Sequence, residues 1–229
     1  MNSLFIDRTD AGHRLAKALP PIDRENALIL ALPRGGVPVA AAMHADTGIP
    51  VDLLFVRKIG LPADREVAVG AVVDGEEMQI VVNRAVAERF GISFERITEL
   101  AKDATREIER YRSAYKGNRR PHSLEGKAVI LVDDGIATGA SMRAAVTAVR
   151  RRHAKSIHIA VPVSARSVVK CLGSMVDSFT SLYTPDPFMA VSLCYRNFHQ
   201  LGDEEVIGLI EEMEDRPSAS RQHGVSVTL

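Results

Sequence analysis

Two adjacent carboxylates stand between an apolar run and a turn of small residues. Residues 128–132 are apolar, Asp133 and Asp134 follow at once, and the turn 135–141 contains glycines and hydroxyl side chains. Small residues let a backbone approach a ligand closely, and the free N–H groups of a helix that begins there attract anions. One end of this segment therefore suits a phosphate and the other suits hydroxyls or a metal, a combination found in sugar phosphates. A tight turn with an acidic cap is the alternative interpretation.

Two further irregular segments follow apolar runs elsewhere in the chain. Residues 27–32 are followed by Pro33, Arg34 and two glycines, and residues 51–56 are followed by the charged, proline-bearing stretch 57–65, which we interpret as a loop. In open parallel sheets, ligands bind beyond the carboxyl ends of the strands. We therefore expect the chemistry of the three segments to converge at one edge of a sheet.

Hydrophobic patterning predicts the elements that would position these segments. Fully apolar runs predict buried strands of a parallel sheet, and apolar steps of three and four from 93 to 116 predict one long amphipathic helix. A hairpin is predicted between the runs 67–73 and 78–82. The alternation of strands and helices predicts an α/β fold, a parallel twisted sheet flanked by helices. Further strands are predicted at 157–163 and 178–183, and further helices at 10–19, 141–153, 165–172 and 203–213.

The composition narrows the class of protein. The 229 residues carry 29 basic and 29 acidic side chains, so no net field directs the chain towards nucleic acid or a membrane. The two cysteines make no disulfide framework, and no apolar stretch is long enough to cross a bilayer. The first ten residues lack the apolar run of a signal peptide. We therefore expect a soluble, cytoplasmic protein.

The segment 129–141 closely resembles the signature of type I phosphoribosyltransferases that binds 5-phosphoribosyl-1-pyrophosphate (PRPP). Leu32 to Gly36 resembles the pyrophosphate loop of that family, and Arg57 to Pro62 resembles the start of the flexible loop in its adenine-type members. The three segments also occur in the family's order, over residues 27–163. The later stretch 184–191 is most similar to a bacterial group of phosphoribosyltransferase-like proteins without an assigned acceptor.

The resemblance implies a role for each matching residue. Lys58 and Arg57 would close over the pyrophosphate as catalytic cations. Asp133 and Asp134 would bind the ribose hydroxyls and Mg²⁺, the latter through water. The pyrophosphate would be held by Arg34, Gly35 and Gly36, and the 5-phosphate by Ala137, Thr138, Gly139, Ala140 and Ser141. Transfer of the phosphoribosyl group to a nitrogenous base, with release of pyrophosphate, is the implied reaction, and nucleotide metabolism is the implied setting.

The acceptor is left open by departures from the family's patterns. Ala137 stands where hypoxanthine–guanine enzymes place an aspartate, and Ala68 stands near the place of a glutamate in adenine enzymes. Glu66 lies two residues earlier and is a candidate substitute. Phe188, within an aromatic and proline-bearing stretch, is the second candidate for the acceptor pocket. The alternative places Phe188 in a minor core beneath the last helix.

The expected organisation is one domain over residues 1–215. Its core would cover about 24–164, a helical insertion about 83–120, and a hood would combine the N-terminal segment with about 177–213, leaving 216–229 as a flexible tail. A homodimer is expected, with PRPP and a small-molecule acceptor as ligands, and with neither a membrane nor nucleic acid as a partner. The rival interpretation is a PRPP-sensing regulator that binds RNA or DNA through the basic run from Lys102 to Arg120.

Overall fold

A parallel sheet of five strands forms the centre of the computed structural model, which describes residues 4–61, 64, 67–117 and 121–215. The strands lie in the order β2-β1-β6-β7-β8, and every neighbouring pair is parallel. This arrangement confirms the predicted α/β fold. In chain order the elements are α1 (Arg8–Ala18), β1 (Ala27–Ala31), α2 (Gly36–Thr47), β2 (Val51–Leu53), β3 (Val56–Gly60), β4 (Ala68–Val73), β5 (Gln79–Val82), α3 (Arg84–Arg89), α4 (Phe94–Lys116), β6 (Ala128–Val132), α5 (Ala140–Arg151), β7 (Ser156–Val163), α6 (Arg166–Gly173), β8 (Ser178–Tyr183) and α7 (Asp203–Asp215).

Alternation along the strands gives the sheet two apolar faces. In β1, Leu28 and Leu30 join the cluster that contains the buried side of α5, whereas Ile29 joins the cluster that contains α1 and α2. Every residue of β1 and of β6 is buried. Strands buried on both faces carry continuous apolar sequence, which explains why these runs could be recognised directly.

A second, antiparallel sheet corrects the prediction of a loop at 57–65. Residues Val56–Gly60 form β3, which pairs with β4, and β4 pairs with β5 in the expected hairpin. The adjacent charges at Arg57 and Lys58 suggested a loop, but in a strand they point to opposite faces, and each face also carries one apolar residue, Ile59 or Val56. Of the stretch beyond Gly60, residues 62, 63, 65 and 66 lie outside the described residues.

The long helix predicted at 93–116 is confirmed as α4. The Ser93 hydroxyl accepts a hydrogen bond from the Arg96 N–H and caps the helix. Its buried stripe packs against β3 and β4, and α4 also contacts α7. The short α3 before it was not predicted.

The helix α5 lies between the two sheets, because one side packs on the parallel sheet and another contacts β3, β4 and β5. No helix in the described ranges has the length and apolar character needed to cross a membrane.

Candidate active site

The acid pair and the loop after β1 meet at the carboxyl edge of the parallel sheet. The Leu32 N–H donates to the Val132 carbonyl at 2.9 Å, which holds the ends of β1 and β6 together. Gly35 then lies directly against Asp134, since a Cβ atom at Gly35 would be 2.1 Å from Asp134 Oδ2. Gly36 is equally constrained, because a Cβ there would be 2.6 Å from the Val132 oxygen. Glycines are therefore required for the contact between the two loops.

Arg8 fixes the orientation of Asp134. The Arg8 Nε donates to Asp134 Oδ2 at 2.8 Å, and both side chains are largely buried, with 8% and 14% of their surface exposed. The same guanidinium donates to the His199 carbonyl at 3.0 Å and lies 3.8 Å from the centre of the Phe198 ring. Helix α1 thus contacts the acid pair through Arg8, and the segment after β8 packs against that arginine.

Tyr195 supports the same turn from the C-terminal segment. Its hydroxyl donates to the Asp134 carbonyl at 2.5 Å. Burial raises the pKa of Tyr195, so the hydroxyl keeps its proton and remains a donor. Its ring contacts Phe5 and Phe198, with centroids 5.2 Å apart in both pairs.

Burial also disfavours the charges of the acid pair. Desolvation raises the pKa of Asp133 well above its usual value, and the neighbouring Asp134 charge raises it further. Desolvation likewise raises the pKa of Asp134, although Arg8 opposes this shift. Two carboxylates that are held together although burial disfavours their charged forms are typical of a site that receives a cation or hydroxyl donors from a ligand.

The donor set fits Mg²⁺ that arrives with a substrate. The Asp134 N–H donates to Asp133 Oδ1 at 2.9 Å, and within the described residues Asp133 Oδ2 and Asp134 Oδ1 make no hydrogen bond. The described residues contain no group of three or more potential ligands that could hold a metal alone. Mg²⁺ commonly binds one or two carboxylates and takes its other ligands from substrate phosphates and water. The two carboxylates match that pattern.

Helix α5 presents an uncapped amino end beside the acid pair. Gly139 precedes it with φ of 76°, a left-handed conformation that favours glycine, and no side chain caps the helix. The helix α2, which follows Gly35, also has no capping side chain, whereas α1, α3 and α4 are capped by Asp7, Asn83 and Ser93. The free N–H groups of α5 follow Ala137 and Thr138, both exposed, and Ser141 lies in its first turn, which suits an anion at this end.

Arg34 and Arg57 both lie against one aromatic ring. Their guanidinium carbons are 5.9 Å and 4.7 Å from the centre of the Tyr111 ring of α4. Arg34 also pairs with Asp203 at 3.0 Å, and Arg57 pairs with Glu107 at 3.1 Å. The structure therefore brings together these two predicted pyrophosphate residues and holds them with carboxylates of α7 and α4.

Lys58 lies on the opposite face of β3 from Arg57. It is exposed and lines a cavity whose far wall includes Ala140, the first residue of α5. Adjacent residues of a strand point to opposite faces, so the structure does not place Lys58 beside Arg34. Lys58 instead faces the helix that begins at the predicted 5-phosphate loop.

Phe188 lines an apolar cavity of about 340 Å³ after the carboxyl end of β8. Its ring is partly buried and packs against two of the apolar clusters. The loop that carries it borders the acid-pair turn, since a Cβ at Gly135 would be 2.7 Å from a methyl group of Val191. Phe188 therefore borders a cavity and also packs in a core, but neither cluster includes a described residue of α7, the helix beneath which the alternative placed it. Glu66, the other acceptor candidate, lies outside the described residues.

Two contacts with the acid pair were not predicted, because they come from distant parts of the sequence. Arg8 is 126 residues from Asp134, and Tyr195 is 61 residues from it. Tyr111 was noted only as part of the apolar stripe of α4. The sequence signal that could have found it is the pair of tyrosines, Tyr111 and Tyr115, one turn apart on this stripe.

The basic run on α4 is partly compensated within the helix. Arg106 pairs with Asp103, one turn earlier in the helix. Arg119 and Arg120 lie outside the described residues. The described part of this face therefore has the character of a solvated helix surface.

Replacing Arg8 by Ala is expected to lower the free energy of unfolding by about 3–5 kcal/mol, because it leaves the buried Asp134 without its partner. Urea denaturation measures this loss. The double variant Arg8→Ala/Asp134→Asn should recover part of it, since the carboxylate then carries no charge. Strictly additive losses in the double variant would refute the coupling between the two side chains.

Comparison with known proteins agrees with this geometry. A family described as the phosphoribosyl transferase domain matches residues 9–170. Two curated proteins of Mycobacterium tuberculosis, from strains CDC 1551 / Oshkosh and ATCC 25618 / H37Rv, are 36% identical to the chain over 208 residues, and each is named "putative phosphoribosyl transferase". The match covers 91% of this chain and 46% of each relative, so the chain spans about half the length of these curated proteins.

A crystal structure extends the similarity to the whole architecture. Protein TT1426 of Thermus thermophilus is 34% identical, with a TM-score of 0.73, and the match covers 91% of this chain and 98% of that one. The family match includes the loop after β1, the strand β3 and the acid pair with its glycine turn. The chain therefore belongs to the phosphoribosyl transferase domain family.

Proposed function

We propose that this protein transfers the phosphoribosyl group of PRPP, bound with Mg²⁺, to a small nitrogenous base and releases pyrophosphate. The observation that carries the proposal is the contact between Gly35 and Asp134, which joins the predicted pyrophosphate loop to the predicted ribose site. PRPP would lie across this edge of the sheet, with its pyrophosphate near the N-terminal end of α2 and its 5-phosphate at the N-terminal end of α5.

Each end of PRPP meets donors of the right kind in this proposal. The uncapped start of α5, from Ala137 to Ser141, would hold the 5-phosphate through N–H groups and hydroxyls. Asp133 and Asp134 would accept hydrogen bonds from the ribose hydroxyls and bind Mg²⁺ through water. Bound Mg²⁺ neutralises charge on the departing pyrophosphate.

Arg57 and Arg34 are suited to the leaving group. Negative charge accumulates on the pyrophosphate as its bond to C1 of the ribose breaks, and preorganised cations stabilise that charge best. Both guanidinium groups are held in place by Tyr111 and by carboxylates, so little reorganisation is needed at the moment of reaction. Lys58, on the other face of β3, is proposed to act at the 5-phosphate end.

The reaction itself can be tested with a panel of acceptors. Purified protein is incubated with Mg²⁺ and PRPP and with purines, pyrimidines, pyridines or small amines, and pyrophosphate release is measured. The proposal expects release with at least one acceptor, above the rate of PRPP hydrolysis. Specific PRPP binding without release for any acceptor would instead support the PRPP-sensing regulator.

The two cations of β3 should affect different kinetic constants. Arg57→Ala is expected to lower kcat about tenfold or more, because its interaction strengthens only as pyrophosphate departs. Lys58→Ala is expected to raise KM for PRPP with less effect on kcat, because the charge of the 5-phosphate does not change in the reaction. Steady-state kinetics with varied PRPP separate the two effects. Loss of kcat in both variants would contradict the assignment of Lys58.

Phe188→Ala should distinguish an acceptor pocket from a minor core. Because the ring is only partly buried, we expect a stability loss smaller than the roughly 3–5 kcal/mol of a fully buried phenylalanine. We also expect weaker acceptor binding or a changed acceptor preference. A paired thermal melt and acceptor titration measures both. A full core-sized loss with unchanged acceptor affinity would exclude Phe188 from the acceptor pocket.

A further inference from the structure

A second cavity, rich in positive charge, lies between the antiparallel sheet and α5. Its volume is about 450 Å³, which is within the range of small-molecule sites. Among the described residues, no carboxylate lines it. Four cationic side chains do so: Lys58, Arg84, Arg143 and Arg151. Walls of one charge sign focus the electric field and concentrate ions of the opposite sign.

These cations differ from the guanidinium groups of the candidate active site. Arg34 and Arg57 are both paired with carboxylates. By contrast, Lys58, Arg84 and Arg151 form no ion pair with any described residue, and all three are exposed. Among the described residues these cations have no carboxylate partner, and a cluster of like charges around one cavity favours the binding of an anion.

Arg143 is oriented by soft neighbours that leave its charge uncompensated. One terminal nitrogen lies 2.7 Å from the Cys171 Sγ atom, and the other lies 3.7 Å from the Met175 Sδ atom. Sulfur is a weak acceptor, so these contacts position the guanidinium without neutralising it. The group therefore remains available to an anion in the cavity.

The cavity follows the flank of α5 and not its end. Ala144 and Thr147 lie one and two turns into the helix, and Arg151 is its last residue. The lining thus extends about 16 Å along α5 from Ala140, at 1.5 Å per residue. The N–H groups proposed for the 5-phosphate lie only at the first turn, so most of the cavity lies outside that site.

The wall opposite the helix is apolar. Small and branched side chains of β4 and β5, including Ala71, Val81 and Val82, provide a surface that fits a ring or a sugar. Asn83 and Thr147 add side-chain donors and acceptors next to it. The lining therefore combines contact area for an organic group with charges for several phosphates.

We propose that this cavity binds a nucleoside di- or triphosphate, with its phosphates on Arg84, Arg143 and Arg151 and its nucleoside on the apolar wall. The ligand would connect the antiparallel sheet to α5, the helix whose first turn carries the 5-phosphate loop. A polynucleotide fits less well, because the lining surrounds a bounded volume of small-molecule size. The proposal does not depend on transferase activity.

The test is a calorimetric titration of the full chain with ATP, in the absence of PRPP and acceptor. We expect saturable binding that weakens about tenfold or more in Arg84→Ser/Arg151→Ser, since each lost guanidinium removes a charge-assisted contact. The matched control, Arg89→Ser/Arg166→Ser, removes two exposed charges from α3 and α6 outside the cavity, and it should bind ATP as the parent does. Thermal melts of both variants verify that they are folded.

Three further measurements locate and identify the ligand. Asp133→Asn should retain ATP binding, since the acid pair lies outside the cavity. Tripolyphosphate should compete with ATP, because the arginines recognise the phosphates, and it should bind less tightly than ATP, because it makes no contact with the apolar wall. Absence of saturable ATP binding, unchanged binding in Arg84→Ser/Arg151→Ser, or loss of binding in Asp133→Asn would overturn the proposal. Binding of single-stranded RNA but not ATP, lost in the same double variant, would overturn it in favour of nucleic acid.

Discussion

Asp133→Asn is expected to raise the melting temperature of the ligand-free protein and to abolish most of its phosphoribosyl transfer. Burial raises the pKa of Asp133 well above 3.8, so ionisation of this carboxyl destabilises the folded state. The amide has nearly the same shape and carries no charge. The melting temperature should rise by about 2–4 °C for each kcal/mol of ionisation cost removed.

The pH dependence of this stabilisation has a defined sign. Because the folded-state pKa of Asp133 lies above its unfolded value, the parent loses stability as pH rises from about 4 through the folded pKa. The advantage of Asp133→Asn should therefore be absent in acid and largest at neutral pH. Melts at several pH values, with Asp215→Asn at the exposed end of α7 as the control, measure it.

The loss of activity should accompany that gain in stability. Removing one preorganised electrostatic contact from a transition state typically costs about 10²–10³ in kcat. Mg²⁺ with PRPP should also raise the melting temperature of the parent more than that of the variant, through ligand binding to the folded state. A variant that is less stable than the parent and fully active would show that Asp133 has a structural role only.

Gly35→Ala is expected to damage both loops of the site. All three nearest neighbours of a Cβ at Gly35 are side-chain atoms of Asp134, the nearest at 2.1 Å and the next at 2.4 Å. The carboxylate would have to turn away from Arg8. We expect a stability loss of about 1–3 kcal/mol, typical of overpacking, and PRPP binding weaker by about tenfold or more.

Gly208→Ala supplies the matched control for this substitution. Gly208 lies within α7, and a Cβ there meets no atom within 4 Å, so the same change should be neutral or stabilise the helix by up to about 1 kcal/mol. In an Asp134→Ala background, Gly35→Ala should cause little further loss, because the clashing group is gone. Equal losses in both backgrounds would show that the clash with Asp134 is not the cause.

The parallel sheet could be predicted because its strands are buried on both faces. A strand such as β6 has only apolar residues, and its pattern does not depend on where its neighbours are in the sequence. β3 was missed for the opposite reason. Its two faces meet different environments, α4 on the Arg57 side and α5 on the Lys58 side, and the resulting mixture of charged and apolar residues suggested a loop.

The site could be predicted only where it follows strand ends. The loop after β1 is a short segment, and so is the acid pair with the start of α5; the residue types and the order of these segments identify them. The residues that orient them cannot be found in this way, because Arg8, Tyr195 and Asp203 reach the site from α1, the segment after β8 and α7. Lys58 shows the same limit. Its face of the strand follows from the alternation of side chains, but the site that this face meets depends on the position of α5.

The measurement that tests the central claim most directly is a calorimetric titration of the protein with PRPP, with and without Mg²⁺. We predict one PRPP bound per chain, with affinity that depends on Mg²⁺, and loss of this binding in the folded variant Asp133→Asn/Asp134→Asn. Both carboxylates are then neutral while the fold and the arginines remain. Equal PRPP affinity in the parent and in this double variant would contradict the assignment of the acid pair as the PRPP site.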